Sequence, residues 1–133
     1  MTSTLPQTGL QLRSTILAQG ELVLTLVDEP VVAPGSDEVL IRVEATPINP
    51  SDQGIMFGAA DMSTLRVEGT ASRPVIRAKV PEQAMRAMAG RLDRSMPMGH
   101  EGAGVVIATG DAPEAKALLG KVVAALEIGR AHV

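Results

Sequence analysis

Short β-type runs between glycine and proline breaks are the feature of this chain that most restricts its fold. Residues 37–45, DEVLIRVEA, nearly alternate apolar with polar side chains, at the period of a strand with one buried face. Residues 10–16 and 21–27 are also rich in strand-forming residues, and Ala18-Gln19-Gly20 between them suits a hairpin turn. Strand-like runs dominate the chain, which has no internal repeat. We therefore expect a mainly β fold with short helices, arranged as a small, partly open β-barrel.

A structured loop follows the clearest strand. Residues 46–58 carry two prolines and two glycines, and Ser51 and Asp52 suit the start of a short helical turn. The remaining predictions are an irregular segment (59–73), a strand (75–80), a short amphipathic helix weakened by Gly90 (81–92), a strand (104–109), helical turns (113–119) and a strand (121–126).

Composition limits both the core and the chemistry. The 133 residues are 45% apolar but include one Phe, no Trp and no Tyr, so the core must use small and branched side chains. The formal charge is −3, and the chain has neither a basic run nor stacking aromatics, which argues against nucleic-acid binding. The absence of cysteine excludes disulfides, thiolate metal ligands and a cysteine nucleophile. Chemistry must therefore use oxygen, nitrogen or a cofactor.

Neither the start of the chain nor its apolar runs indicate a membrane. The opening MTSTLP has no basic region followed by an apolar stretch, as a secretory signal would. The longest apolar strip, residues 22–27, is too short to cross a bilayer. We expect a cytoplasmic protein that does not associate with membranes.

The last residues of the chain interrupt its pattern. The strand predicted to end at Leu126 is followed by Glu127 and then by IGRAHV, where a compact domain should begin a new element. This hexapeptide looks like the translation of a sequencing-adapter read-through. We therefore interpret residues 1–127 as one domain and residues 128–133 as a non-native tail, with an ordinary native tail as the alternative.

Three motifs follow one another along the chain. They are PGSDEVLIRVEATPINPSD (residues 34–52), GHEGAGVV (residues 99–106) and GKVVAAL (residues 120–126). Together they resemble the N-terminal, GroES-like domain of the medium-chain dehydrogenase/reductase superfamily, which includes zinc-type alcohol dehydrogenases and quinone oxidoreductases. The resemblance covers most of residues 9–126 and departs from the family at about 59–96, where the connection is longer than usual.

The resemblance implies a GroES-like, partly open β-barrel on the substrate side of a cleft, facing a Rossmann domain that holds NADPH or NADH. In this chain, however, no GxGxxG lies between a strand and a helix, since Gly102-Ala103-Gly104 leads into a predicted strand. We therefore expect a fragment that ends before the Rossmann domain. Such a fragment would bind no cofactor and would be inactive by itself.

The GHE motif raises the question of zinc. In zinc-dependent members of the superfamily, three side chains hold the metal. They are a Cys in the loop that follows the strand of the first motif, the His of GHE and a third ligand farther along the chain. In this chain Asn49 stands at the Cys position, and His100 is retained. Because catalytic zinc takes three protein ligands, we expect no metal site. The resemblance is therefore closest to zinc-independent quinone and enoyl reductases, whose conjugated substrates spread the developing charge so that hydrogen-bond donors can stabilise it.

The resemblance also implies roles for individual residues. Asn49 and Pro50 would lie near the nicotinamide, Ser51 would donate a hydrogen bond to substrate, and His100 is a further catalytic candidate. The other motif residues are expected to have a structural role: Asp52, Gly99, Glu101, Gly102 and Gly104.

Each of these residues has a structural interpretation as well. Asn49 suits a turn cap, and Asp52 suits a helix cap. His100 could be a hydrogen-bonded structural histidine, and Glu101 could hold a network behind the cleft. The motif glycines permit close backbone packing or an unusual φ.

The leading hypothesis is the N-terminal part of a zinc-independent, NAD(P)H-dependent oxidoreductase that reduces a quinone or an α,β-unsaturated carbonyl. Its partner would be a small-molecule substrate, and the full-length enzyme would form a homodimer or tetramer. The alternatives are a zinc-dependent alcohol dehydrogenase-like domain with altered ligands and a non-enzymatic GroES-like binding module.

Overall fold

The structure, a computed structural model, describes residues 4 to 126 and is mainly β with short helices. The strands are β1 (Thr8–Leu17), β2 (Glu21–Pro30), β3 (Val39–Ala45), β4 (Asp61–Gly69), β5 (Pro74–Lys79), β6 (Met96–Pro97), β7 (Glu101–Thr109) and β8 (Val122–Leu126). The helices are α1 (Pro50–Phe57), α2 (Glu82–Met85) and α3 (Pro113–Lys116), and a single 3-10 turn covers Ala89–Arg91. The prediction of a mainly β fold is confirmed. The predicted non-native tail, residues 128–133, lies outside the described residues.

The strands form two open sheets. A five-stranded sheet has the order β4-β5-β2-β1-β6, and a three-stranded sheet has the order β3-β7-β8. Neither sheet closes on itself, in agreement with the expectation of a partly open barrel. By its contacts the chain divides into two compact units. Among the described residues, unit I comprises residues 4–11, 28–47 and 99–126, and unit II comprises Leu12–Val27 and Ile48–Met98.

The hydrophobic core of unit II is built from aliphatic side chains on β1, β2 and β5 and on the residue that follows β5. Ile16, Leu22 and Ala78 are fully buried, and Leu24 and Val80 complete the cluster. Burial of a side chain the size of Ile or Leu contributes roughly 1.5–3 kcal/mol, so these few residues carry much of the stability of the unit. The partly buried side chains packed against the cluster are Leu12, Met56, Phe57, Ala60, Ile76, Ala84, Met85, Met88 and Leu92.

The predicted hairpin between β1 and β2 is present. Gly20 adopts a φ of 88°, a left-handed value that favours glycine, and its amide donates to the Leu17 carbonyl at 2.9 Å. The Gly20 carbonyl accepts a hydrogen bond from the Val80 amide at 2.9 Å. The turn therefore also connects β2 to the end of β5.

The long connection between α1 and β7 differs from its prediction. Residues 59–73 were expected to be irregular, but most of them form β4, which pairs antiparallel with β5. The predicted helix over residues 81–92 is reduced to the single turn of α2 and the 3-10 turn. Gly90 lies in the second of these turns, where its low helix propensity disfavours one continuous helix. Met85 and Met88 in this segment pack against the buried cluster.

Unit I is organised around β7, the central strand of the three-stranded sheet. Gly104 pairs with Val43 of β3 on one side and with Val123 of β8 on the other. Val106 of β7 and Ala115 of α3 are buried. The sheet thereby fixes the segment that contains the GHEGAGVV motif.

No helix within residues 4 to 126 combines the length and the apolar character needed to cross a bilayer.

Candidate functional site

Four of the predicted site residues lie together at the start of α1 in unit II. Asn49 is the N-cap residue, with extended backbone angles, and Pro50 occupies the first helical position, where its missing N–H causes no loss. The Asp52 carboxylate accepts a hydrogen bond from the Asn49 amide at 2.8 Å. Asp52 is only 4% exposed, so this carboxylate stabilises the helix start instead of facing solvent.

The other side chains at this helix start are accessible. Asn49 is half-buried, while Pro50 and Ser51 are exposed. The preceding Ile48 is 73% exposed, which is unusual for a large aliphatic side chain and places an apolar surface beside the polar residues. Beside the half-buried Asn49, these residues therefore present a hydroxyl and apolar contacts to a small molecule.

The remaining predicted residues lie in unit I at the start of β7. Gly99 adopts a φ of 100°, and the half-buried His100 follows it. Glu101 is the exposed first residue of β7 and is paired with Leu126 of β8. The GHE motif therefore marks the turn into the central strand of the sheet.

The two glycines after the motif allow β7 to lie against β3. A Cβ at Gly104 would overlap the Arg42 carbonyl oxygen and stand 2.9 Å from the Val43 Cα. A Cβ at Gly102 would stand 3.3 Å from the Val43 Cγ1. The closer approach is at Gly104, where any side chain forces the strands apart. The close-packing interpretation of these glycines thus has a direct geometric basis.

A groove of about 540 Å³ borders this motif within unit I. Its lining consists mainly of small apolar residues: Ala45, Thr46, Pro47, Glu101, Gly102, Ala103, Ala124, Ala125 and Leu126. The polar side chains among them belong to Thr46 and Glu101. The groove is therefore an apolar surface with one hydroxyl and one carboxylate.

The side chains of the described residues do not fit a catalytic zinc site. Such a site needs three protein ligands in one place. Within residues 4 to 126, no three His, Asp or Glu side chains lie close enough to hold a metal ion. Asn49 has a neutral amide where the zinc enzymes place a thiolate, and we derive no step through a metal.

Electrostatic interactions in unit II centre on three adjacent strands. Arg77 of β5 contacts Glu21 of β2 and Glu68 of β4, each at 3.0 Å. Arg66 of β4 contacts both carboxylates as well. Hydrogen bonds from Arg66 and Arg77 lower the pKa of Glu68, and the bond to Glu68 raises the pKa of Arg66. A hydrogen bond from the Ser63 hydroxyl similarly lowers the pKa of Asp61.

Two polar residues that the sequence reasoning missed contact the other end of α1. The Ser14 hydroxyl donates to the Met56 carbonyl oxygen at 2.9 Å, and Arg91 Nη2 donates to the Ile55 carbonyl oxygen at 2.9 Å. Ser14 had a detectable signal, because in the alternation of β1 it lies on the same face as Leu12 and Ile16 and so had to be buried. Arg91 had none, because its partners on β1 and α1 are far away in the sequence and no local pattern specifies them.

Comparison with known families gives one finding that covers most of the chain. A family model described as the alcohol dehydrogenase GroES-like domain matches residues 35–132. The matched region contains the start of α1, the GHEGAGVV motif and nearly all of the first motif. Comparison with curated proteins gives no match.

Proposed function

We propose that this chain, which belongs to the family of alcohol dehydrogenase GroES-like domains, is the substrate-side domain of an NAD(P)H-dependent oxidoreductase. The observation that carries the proposal is the match over residues 35–132, which confirms the resemblance to the N-terminal domain of medium-chain dehydrogenases/reductases. The finer assignment is reduction of a quinone or an α,β-unsaturated carbonyl.

The start of α1 supplies the groups proposed to contact the reactants. Ser51 is an exposed hydroxyl that can donate a hydrogen bond to a substrate oxygen. Asn49 is half-buried and carries an amide that both donates and accepts, and Pro50 adds an exposed apolar ring beside it. The nicotinamide, when bound, would supply the hydride. Asn49 and Pro50 are the residues of this chain proposed to orient it, and His100 is proposed as a further catalytic group.

Zinc independence is supported by the residues at these positions. Reduction of an isolated carbonyl concentrates charge on one oxygen, where a metal acts as a Lewis acid. Reduction of a quinone or a conjugated enone spreads the charge, and neutral donors such as the Ser51 hydroxyl can stabilise it. Asn49 at the thiolate position therefore favours the conjugated substrates.

The proposal extends to the surroundings of the enzyme. We propose NADPH or NADH as cofactor, a small molecule as the binding partner, a homodimer or tetramer as the working assembly, and the cytoplasm as its location. Nucleic acid is not proposed as a partner, because the chain carries a net charge of −3.

The test is to express the gene that encodes this chain from its own start codon to its own stop codon. The product is assayed with NADH and with NADPH against a quinone, an enone, a ketone and a saturated aldehyde, with and without a chelator. We expect turnover of the quinone or the enone that is insensitive to chelation.

Two results would reject this assignment. Stoichiometric zinc in the purified protein, with activity lost on chelation, would establish the zinc-dependent alcohol dehydrogenase alternative. A stable ring in size-exclusion chromatography, without turnover of any substrate, would establish the non-enzymatic binding module.

A further inference from the structure

The C-terminal end of α1 is satisfied by groups outside the helix. The last four carbonyls of any α-helix have no partner within the regular helical pattern, and here they belong to residues 54–57. The Gly54 carbonyl accepts from the Gly58 amide at 3.0 Å, and the Phe57 carbonyl accepts from the Ala60 amide at 3.1 Å. The Ile55 and Met56 carbonyls remain, and both accept from side chains of other elements.

These two side chains form a connected group, which we term the α1 anchor: Ser14 of β1 and Arg91 of the 3-10 turn. The Ser14 hydroxyl bonds the Met56 carbonyl, and one nitrogen of Arg91, Nη2, bonds both the Ile55 carbonyl and the Ser14 hydroxyl, the latter at 3.0 Å. The anchor therefore joins the helix to the sheet and to the long connection at a single point.

The anchor is built at an energetic cost. Ser14 is fully buried, and burial lowers the pKa of Arg91. The Arg91 Nε is buried without a hydrogen-bond partner, and no carboxylate within residues 4 to 126 pairs with this guanidinium. The half-buried guanidinium lies at the C-terminal end of α1, where the negative end of the helix dipole favours a positive charge.

Close packing leaves α1 little freedom at this end. Gly58, immediately after the helix, has a φ of 56°. A Cβ there would stand 3.0 Å from the Ile16 Cδ1, 3.4 Å from the Met88 Sδ and 3.5 Å from the Arg91 Nη1. The helix thus ends against the core and the anchor, where an added methyl group would require the Ile16 side chain to shift by a few tenths of an ångström.

We propose that Ser14 and Arg91 are positioning residues that set the orientation of Asn49 and Ser51 at the opposite end of α1. The helix has eight residues and is therefore about 12 Å long, so a rotation at its anchored end moves its first residues directly. The long connection that carries Arg91 then controls the placement of the groups proposed to contact the reactants. The roles of Asn49 and Ser51 in this inference rest on the proposed function. The mechanical coupling between the two ends of α1 is independent of that function.

The coupling is tested in the 133-residue chain by amide hydrogen exchange and by the chemical shifts of the Asn49 and Ser51 amides. The variants are Ser14→Ala, Arg91→Gln and Arg91→Lys. Arg94→Gln is the matched control, because Arg94 is an exposed arginine nearby that donates to the Gly90 carbonyl at 3.3 Å. We expect exchange of the α1 amides to accelerate about tenfold or more in S14A and R91Q, with the exchange of Leu22 and Ala78 unchanged.

In the same two variants the Asn49 and Ser51 resonances should shift, R91K should give a smaller change, and R94Q should give none. The proposal is overturned if R91K and at least one of S14A and R91Q leave both the exchange of the α1 amides and the Asn49 and Ser51 resonances unchanged. It is equally overturned by a loss of protection spread evenly over α1 and the core strands, which would show a merely structural role. If R91Q and S14A do not fold, R91K alone decides between these outcomes.

A kinetic arm separates this inference from the proposed function. In the enzyme expressed from the whole gene, we expect R91K to lower kcat/KM about tenfold and R94Q to leave it unchanged. Coupling in the exchange experiment without turnover of any substrate would reject the oxidoreductase and leave the anchor standing. Turnover in which R91K alters neither the resonances nor kcat/KM would reject the anchor alone.

Discussion

At the scale of single residues, the spacing of β3 and β7 depends on an absent side chain. Gly104 faces the Arg42 carbonyl so closely that a Cβ cannot be accommodated, whereas Gly54 in α1 has nothing within 4 Å of an added Cβ. The same residue type therefore has opposite consequences at the two positions. Its place in the sheet, and not its presence in a motif, determines which consequence applies.

Gly104→Ala is expected to destabilise the protein by about 2 kcal/mol or more, because the added methyl forces β7 away from β3. The control is Gly54→Ala, which should be neutral or stabilising by up to about 1 kcal/mol, since it improves helix propensity in open space. Urea unfolding followed by circular dichroism measures both. Equal stability of the two variants would contradict the packing described here.

Asp52→Ala should destabilise α1 by about 1 kcal/mol, because the Asn49 amide loses its carboxylate acceptor at the helix start. Ser51→Ala, at the neighbouring exposed position, is the control and should change stability by less than about 0.5 kcal/mol. Hydrogen exchange of the α1 amides and urea unfolding provide the measurement. A larger effect from S51A than from D52A would mean that the Asp52 carboxylate does not stabilise the helix start.

At the scale of elements, β4 and α1 differ most from expectation. β4 lies at one edge of its sheet and has almost wholly exposed side chains, so it shows no alternation that sequence patterns could reveal. Its pairing with β5 also contains a register shift between Asp61 and Arg66. For α1, the predicted loop with a short helical turn is an eight-residue helix, held by a cap at one end and by the α1 anchor at the other.

The ion pairs that join β4 to β5 and β2 should make the β4–β5 hairpin sensitive to acid. Because the arginines lower the pKa of Glu68, its contribution is present at pH values above the ordinary glutamate value of 4.5 and is lost as the pH falls below it. Glu68→Gln should therefore make the difference in amide protection of β4 between neutral and acid pH smaller. Amide exchange of β4 at several pH values tests this.

The matched control for that experiment is Glu44→Gln, an exposed glutamate of β3 that contacts Arg42 at 3.0 Å. This substitution should leave the acid response of β4 as it is. Added salt should weaken the response of the unsubstituted protein, because half-exposed charges are screened. An acid response of β4 that is identical in E68Q and in the unsubstituted protein would show that the ion pairs do not hold the hairpin.

At the scale of the whole molecule, the family match and the two open sheets agree with the three ordered motifs in the sequence. The structure also explains why Gly102-Ala103-Gly104 does not form a phosphate-binding loop. These residues lie in β7, the central strand, which is paired with β3 on one side and with β8 on the other. A dinucleotide loop needs free backbone amides at the start of a helix, which this segment does not have.

The 133-residue chain is accordingly expected to show no saturable binding of NADPH. Isothermal titration calorimetry is the suitable measurement, because the chain has no Trp or Tyr to report binding by fluorescence. Titration of NADPH into buffer provides the baseline. Saturable binding in the micromolar range would place a cofactor site within this chain and would require a different assignment of the proposed roles.

The sequence by itself determined the class of fold, the hairpin at Gly20 and the family, because each depends on local information: alternation, turn residues and motifs in order. It also indicated that Asp52 could cap a helix. Only the tertiary structure decided that β4 is a strand, that Gly104 must lack a side chain and that Ser14 and Arg91 hold the end of α1. Those features depend on pairing between segments far apart in the chain, where a carbonyl or a guanidinium is satisfied by a partner that no local pattern can specify.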